Sequence, residues 1–364
     1  MYKRQFWDNR LYLDFTYYKT DSRNQILKLA TTAASGYTSQ VRNAGHIRNR
    51  GYEIQLGAVP IQTSKGFRWN LDLNYGANSS KVVKLDDEGL ITSYQLYSSG
   101  IQILASVGEA YGTLFGTSYV RDANGNVVVD ANGLPKISTT NKTLGKFTPD
   151  WTGGISNTFS YRSLSLSFLI DASVGGSIFS NTNKTGKYTG VLANTLSGRD
   201  AEHGGLWYYT DAMGNNVRLP ESPSYSVSSD GLYYAQVNGQ STRVYQDGIM
   251  VEGVTESGSK NEEVVSAEKY YHRIYSIAEA NVYDASYVKL REVALSYRLP
   301  RLWTQKLHLQ EASVTLTGRN LWTIYKSVPN IDPESALTTG NAQGVEAYSL
   351  PTTRSFGVNL SVKF

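Results

Sequence analysis

Apolar and polar residues alternate along the last thirteen residues of the chain, 352–364. The apolar positions are Phe356, Val358, Leu360, Val362 and Phe364. Because successive side chains of a β-strand point to opposite faces, this pattern predicts a strand with one apolar face and one polar face.

The same period of two recurs along the chain and predicts about eight strands. They lie near residues 9–20, 50–62, 66–78, 150–161, 163–175, 285–299, 312–323 and 352–364. Short turns alternate with long connections, and the long ones are predicted at 79–149, 176–284 and 324–351. A polar loop is expected up to about Gly45, and a short helix over 266–275.

The strand at 287–297 changes the face on which its apolar residues lie. Val288 and Leu290 share one parity, whereas Val293 and Leu295 share the other. A one-residue slip of this kind is typical of a β-bulge, so we predict a bulge near Arg291–Glu292.

The repeated apolar faces have few segments that could cover them, so lipid is the favoured surrounding. A bilayer accepts strands only in a closed barrel, and acidic or basic residues such as Glu53 and Arg68 suit the wet lumen. We therefore predict an all-β, antiparallel transmembrane barrel segment with short periplasmic turns and long extracellular loops. Phe364 would then lie on the periplasmic side. A complete eight-stranded barrel with a structural or adhesive role and a soluble secreted β-protein are the alternatives.

Composition agrees with a barrel that has a wet lumen, since 27 Tyr and 33 Gly accompany only 10 Phe. The 35 basic and 31 acidic residues are mixed, which argues against nucleic acid as a partner. Cysteine is absent, so thiolate chemistry is excluded. The first residues lack the apolar run of a signal peptide, and for a barrel protein this favours a fragment.

No sequence motif indicates catalysis, a metal or a cofactor. The two Asp-x-Asn-Gly segments, 122–125 and 130–133, favour tight turns over calcium loops, because no bidentate Glu follows. The four histidines show no metal-ligand spacing and are interpreted as loop and turn residues: His46, His203, His272 and His308. We therefore expect no enzymatic activity.

Aromatic residues supply the candidate binding surfaces. Five in the longest connection are predicted to contact a ligand or a partner, or else to pack the core of that connection: Trp207, Tyr208, Tyr209, Tyr233 and Tyr234. Five others are expected to form the aromatic girdle at the membrane interface: Tyr12, Tyr18, Trp69, Tyr75 and Trp151.

Several landmarks, taken in order, resemble the C-terminal barrel region of SusC/RagA-like TonB-dependent outer-membrane transporters of the Bacteroidetes. They lie at 9–11, 43–53, 148–154, 287–292, 295–297, 318–321, 332–334 and 351–364, and so cover nearly the whole chain. Each landmark alone is weak, but their order is specific.

The resemblance implies part of a 22-stranded outer-membrane barrel that imports oligosaccharides or peptides with energy supplied through TonB. The implied partners are a SusD-like surface lipoprotein, the TonB system, the lipid bilayer, a glycan or peptide ligand, and the outer-membrane assembly machinery. The apolar residues of 356–364 resemble the signal that this machinery reads. The sequence departs from the family in lacking the plug domain, the TonB-contacting segment and the signal peptide, and this departure also favours a fragment. Taken alone, the chain is not expected to transport.

Overall fold

The computed structural model describes residues 2–6, 10–30, 39–306 and 308–364. Its strands are β1 Tyr2–Phe6, β2 Leu11–Ala30, β3 Ser39–Gln62, β4 Phe67–Lys84, β5 Ser93–Ser98, β6 Gln102–Ser106, β7 Tyr111–Gly116, β8 Lys142–Lys146, β9 Trp151–Tyr161, β10 Leu164–Val174, β11 Ser177–Ser180, β12 Leu206–Thr210, β13 Asn216–Arg218, β14 Tyr225–Val227, β15 Tyr233–Val237, β16 Gln240–Ile249, β17 Val265–Ser266, β18 Val282–Asp284, β19 Tyr287–Arg298, β20 Glu311–Lys326, β21 Val345–Glu346 and β22 Ser355–Lys363. The helices are α1 Asn181–Thr189, α2 Ala267–Tyr275 and α3 Arg301–Lys306, and 3-10 turns occupy Ala193–Thr195, Ala201–His203 and Ala278–Asn281.

In the described part of the chain, the main sheet has nine antiparallel strands in the order β1-β2-β3-β4-β9-β10-β19-β20-β22. The predicted all-β, antiparallel architecture is confirmed. One strand more than the eight expected is present, because β1 pairs with β2. Within the described residues the sheet is not closed on itself. The connections β3–β4, β9–β10 and β19–β20 lie at one end of it, and the long connections β4–β9, β10–β19 and β20–β22 lie at the other.

One face of this sheet is apolar, and nothing in the described part of the chain covers it. The strand registers align apolar residues in rows across it. One row consists of Leu13, Leu56, Leu73, Ile155, Ile170, Leu290 and Trp322. On β22, Phe356 is 79% exposed. Asn157, a polar residue on this face, accepts a hydrogen bond from the Trp69 indole N–H at 3.1 Å. Such a face suits lipid, where each polar group needs an internal partner.

The opposite face is polar. The bulge in β19 keeps the charged residues of that strand on this face. The β19 register with β10 slips so that Leu169 pairs with Glu292 and Ile170 pairs with Leu290. Arg291 is therefore the extra residue, and the predicted bulge is confirmed. The slip keeps both Arg291 and Glu292 off the apolar face, where a charge would be costly.

Strands β2 and β3 are longer than predicted, so the polar loop expected up to Gly45 is wrong. The two strands stay paired from Leu11↔Ala58 to Ala30↔Ser39. Backbone pairing can continue beyond the lipid, because an apolar face is not required where strands meet water. His46, expected in a loop, lies on β3, and its Nε2 is 2.5 Å from Asp21 Oδ1.

The long connections contain ordered sheets and helices and together form one folded unit, here called the external domain (residues 85–150, 175–286 and 327–354). It contains the sheets β5-β6-β7-β8, β13-β12-β16-β15-β14 and β18-β11-β21. All three connections contribute to one buried cluster: Ile101, Ile103, Leu114, Phe179, Ala278 and Val345. The external domain therefore has a hydrophobic core of its own.

No helix in the described ranges is both long and apolar enough to cross a membrane.

Candidate functional site

The candidate site lies where α1 meets α2 in the external domain. The hydroxyl of Ser180 caps α1 by accepting a hydrogen bond from the Asn183 N–H at 3.0 Å, and Gly190, at φ 68°, ends the helix in the left-handed conformation that glycine adopts without strain. Helix α2 matches the helix predicted over 266–275, and Ser266 caps it with a 3.3 Å hydrogen bond from Lys269 N–H.

Two adjoining cavities open between these helices and the neighbouring segments. The first has a volume of about 700 Å³ and the second about 610 Å³. Lys187 of α1 and Tyr271 of α2 line both. Tyr119 and Tyr270 add two more phenols to the wall of the first cavity. Cavities of this size, with aromatic walls and a few polar groups, are typical of ligand sites.

Lys187 is buried in the wall between the two cavities, being only 8% exposed. Its Nζ donates hydrogen bonds to Ala280 O at 2.7 Å and to Asn281 Oδ1 at 3.3 Å, and lies 5.3 Å from the centre of the Tyr283 ring. Burial lowers the pKa of Lys187 from 10.5 to about 8. Among the residues that the structure describes, no carboxylate pairs with this ammonium.

The phenols around the first cavity are held neutral. Burial raises the pKa of Tyr119, Tyr270 and Tyr271 above the ordinary 10.0. The Tyr271 hydroxyl donates to Asn194 O and Ser197 O, each at 3.1 Å. These rings present flat amphipathic faces and polar tips rather than charges.

The five predicted contact aromatics lie outside both cavities, on the sheet that contains β12, β15 and β16. Trp207 and Tyr208 are 7% and 4% exposed. Trp207 packs in the cluster with Tyr209 and Tyr233, and its ring centre lies 5.7 Å from that of Tyr233. Tyr234 is half-buried on the opposite face of the sheet. Ligand contact by these residues stays a prediction.

A second polar cluster lies on the polar face of the main sheet, where β19 meets residues 332–334. Lys289 Nζ contacts Asp332 Oδ1 at 2.6 Å and Glu334 Oε2 at 2.6 Å. Arg291, placed by the bulge, contacts Asp171 Oδ1 at 2.6 Å and also pairs with Glu334. This cluster attaches the last long connection to the barrel wall.

The carboxylates of this cluster are held ionised. Burial alone would raise the pKa of Asp332, but hydrogen bonds from Lys289 and Thr352 outweigh it and hold the pKa below its ordinary value. Hydrogen bonds from Arg291 and Lys289 likewise outweigh burial and lower the pKa of Glu334. Both acids therefore favour the paired, charged state.

The two Asp-x-Asn-Gly segments form turns, as predicted. Asp122 Oδ1 accepts hydrogen bonds from the Asn124 and Asn126 N–H groups at 2.9 and 2.8 Å, and Asp130 Oδ1 accepts from Asn132 N–H at 3.0 Å. Each carboxylate thus accepts backbone hydrogen bonds within its own turn. Within the described ranges, no group of three or more His, Asp or Glu side chains is arranged to hold a metal ion.

The girdle prediction is wrong for two of its five residues. The Tyr12 hydroxyl donates to Asp72 Oδ1 at 3.0 Å and the Tyr18 hydroxyl donates to Asn78 Oδ1 at 3.3 Å, so both tyrosines lie on the polar face. Their even positions along β2 already indicated this. Trp69 stacks on Phe159 of the apolar face, with ring centres 5.6 Å apart.

Tyr75 and Trp151 also lie on the apolar face, with ring centres 5.7 Å apart. Four of the five proposed assembly-signal residues lie on β22 and Phe364 directly follows it. Val358 pairs with Leu316 and Leu360 with Val314. Their side chains line the exposed apolar face of the edge strand. Recognition by the assembly machinery stays a prediction.

Sequence reasoning missed Lys187, because α1 is polar all round and resembles a loop. The sequence did contain a signal for the Lys289 cluster. Lys289 and Arg291, and the acidic residues Asp332 and Glu334, all lie within motifs that carry the family resemblance.

No family model matches the chain. TonB-dependent receptor P3 of Formosa agariphila is 27% identical over 98% of this chain and 33% of the relative. TonB-dependent receptor P26 of the same organism is 24% identical over 98% of this chain and 33% of the relative. The chain thus spans about a third of the length of these curated relatives.

Solved structures show the same fold. The RagAB peptide transporter matches with a TM-score of 0.61 at 19% identity, over 100% of this chain and 34% of that chain. The open-open state of the RagAB peptide importer matches with a TM-score of 0.60 at 18% identity, over 98% of this chain and 33% of that chain.

The architecture and these similarities define an outer-membrane β-barrel segment, and the predicted location in the outer membrane is confirmed. The chain is homologous to part of the TonB-dependent receptors, and the resemblance to the SusC/RagA-like transporters is likewise confirmed.

Proposed function

We propose that this chain is the C-terminal barrel region of a TonB-dependent importer of bulky nutrients, oligosaccharides or peptides. The observation that carries the proposal is the two-faced sheet: an uncovered apolar face suits lipid, and a polar face suits a wet lumen. The relatives are receptors of the TonB-dependent class, which supports import rather than catalysis.

A SusD-like lipoprotein is the proposed partner at the external domain. One matched structure is the RagAB peptide transporter, and the external domain, which the long connections form, offers a large folded surface to a partner. In this proposal, the TonB system acts through a plug region that belongs to the parent protein, and the assembly machinery reads β22.

The test uses the native host. The complete reading frame that encodes this chain is deleted, and uptake of labelled oligosaccharide and peptide mixtures is measured before and after complementation, in cells with and without TonB. We expect one class of mixture to require both the gene and TonB. Normal uptake of both classes in the deletion strain would refute the import proposal.

An immunoblot of fractionated cells separates the importer from a complete small barrel with a structural or adhesive role. The antibody is raised against the segment 206–249. A band near three times the 40.2 kDa of this chain is expected in the outer membrane, since the chain covers 33% of its relative. A band near 40.2 kDa would favour the small barrel.

A further inference from the structure

The strongest unexplained feature of the external domain is the ammonium group of Lys187. It is more than nine-tenths buried, yet both of its hydrogen-bond acceptors are neutral. Asn281 is fixed in this role, because its Nδ2 donates to Ile274 O and Ile277 O, each at 3.1 Å, and this turns its Oδ1 towards Lys187. One N–H of the ammonium has no acceptor among the described residues.

A buried charge without a counterion is costly, and proteins ordinarily pair such a group or use it in a site. The first cavity offers space for the missing anion. Its other charged lining residue is Glu252, which is exposed. Glu279, which accepts a hydrogen bond from the N–H of Tyr119, is already paired with Arg121 at 3.1 Å.

The second cavity is less suited to an anion. Asp247 and Glu268 line it beside Arg199 and His272. Burial raises the pKa of Asp247, and the nearby Glu268 adds to this effect. Beside Arg199 and His272, an incoming anion would meet two carboxyl groups there, whereas in the first cavity Lys187 and the neutral phenols are accompanied by one carboxylate, the exposed Glu252.

We propose that Lys187 binds the carboxylate of a ligand in the first cavity, with the rings of Tyr119, Tyr270 and Tyr271 contacting the body of that ligand. The inference rests on the proposed import function and narrows it to nutrients that carry an acid group. A carboxylate accepts the remaining N–H of the ammonium and supplies its missing counterion. Sugar acids and peptides both carry such a group.

The test measures binding to the purified full-length receptor in detergent by isothermal titration calorimetry. One pair of probes is a galacturonate trisaccharide and its methyl ester. The other is a tetrapeptide with a free C-terminus and its C-terminal amide. In each pair only the acid group changes, so the comparison does not depend on the folding of any variant.

We expect at least one acid probe to bind about 10- to 100-fold more tightly than its neutral counterpart, as for a hydrogen bond to a charged group. The probe pair that shows the difference identifies the source of the carboxylate. Equal binding within both pairs, or binding of neither acid, would overturn the proposal.

The Lys187→Met variant should lose the preference for the acid probe. Lys184→Met is the matched control: Lys184 is on the same helix, but its Nζ lies 4.2 Å from the Tyr275 ring centre. A preference kept in Lys187→Met, or lost equally in both variants, contradicts the assignment. The uptake assay remains independent. TonB-dependent import without acid preference refutes this inference alone, and acid preference without import refutes the proposed function alone.

Discussion

Substitution of Lys289 by Met should detach the last long connection from the barrel wall. Lys289 Nζ lies 2.6 Å from Asp332 Oδ1 and 2.9 Å from Oδ2, and the two side chains are only 4% and 8% exposed. Methionine keeps the length of the side chain and removes its charge. The Asp332 carboxylate then stays buried without a cation.

The expected cost is about 3–5 kcal/mol, the usual range when one partner of a buried ion pair is removed. The lower end applies, because Glu334 retains Arg291, and Thr352 still donates a hydrogen bond to Asp332. At about 1.4 kcal/mol for each factor of ten, 3 kcal/mol increases local opening about 100-fold.

Hydrogen–deuterium exchange on the full-length receptor measures this opening. The reporters are the Glu334 N–H, which donates to Asp332 Oδ1 at 2.9 Å, and the Ser335 N–H, which donates to Asp332 O at 3.0 Å. The control is Arg319→Met, which breaks a pair with Glu292 whose side chains are 65% and 39% exposed. An exposed pair contributes at most about 1 kcal/mol. Equal exchange in the two variants would refute the reasoning.

Four further outcomes are expected. Because pairing lowers the pKa of Asp332 and Glu334, the attachment should be intact above pH 4.5 and weaken as pH falls through the lowered values, with faster proteolysis of the connection. Because the pKa of Lys187 falls from 10.5 to about 8 on folding, the free energy of unfolding of the external domain should rise by about 3 kcal/mol between these pH values, measured by denaturant titration. Trp207→Ala should cost the same domain about 3–5 kcal/mol through the cavity it leaves. Deletion of Phe364 should abolish outer-membrane assembly, measured as the yield of receptor in that fraction.

The last three of these have a control or a contradicting result. The pH-dependent rise should be absent in Lys187→Met, and a rise that persists there would assign it to another group. Met213, which is 89% exposed, supplies the matched substitution for Trp207, and Met213→Ala should change stability by less than about 0.5 kcal/mol. Normal receptor yield without Phe364 would show that β22 assembles without a terminal signal.

Sequence alone predicted the main sheet well, because lipid imposes a strict period of two on its outer face. The change of apolar parity between Leu290 and Val293 breaks this period and thereby predicted the bulge. This rule does not apply to the extended ends of β2 and β3, because a strand outside lipid does not need an apolar face and polarity no longer marks it. The core around Phe179 is formed by three segments that are distant in the sequence, and no local pattern predicts that they pack together. The site at Lys187 could not be predicted either, because α1 has no apolar periodicity.

The segment 332–346 is anchored at both ends, to the barrel wall and to α1. Lys289 holds one end. At the other end, Glu346 is fully buried and accepts hydrogen bonds from the Ser180 hydroxyl at 2.7 Å and the Thr182 hydroxyl at 2.6 Å. A shift of α1 away from Glu346 would therefore expose a buried carboxylate. Since Lys187 lies on the same helix, the ligand proposed for the first cavity would bind to a helix that this segment connects to β19.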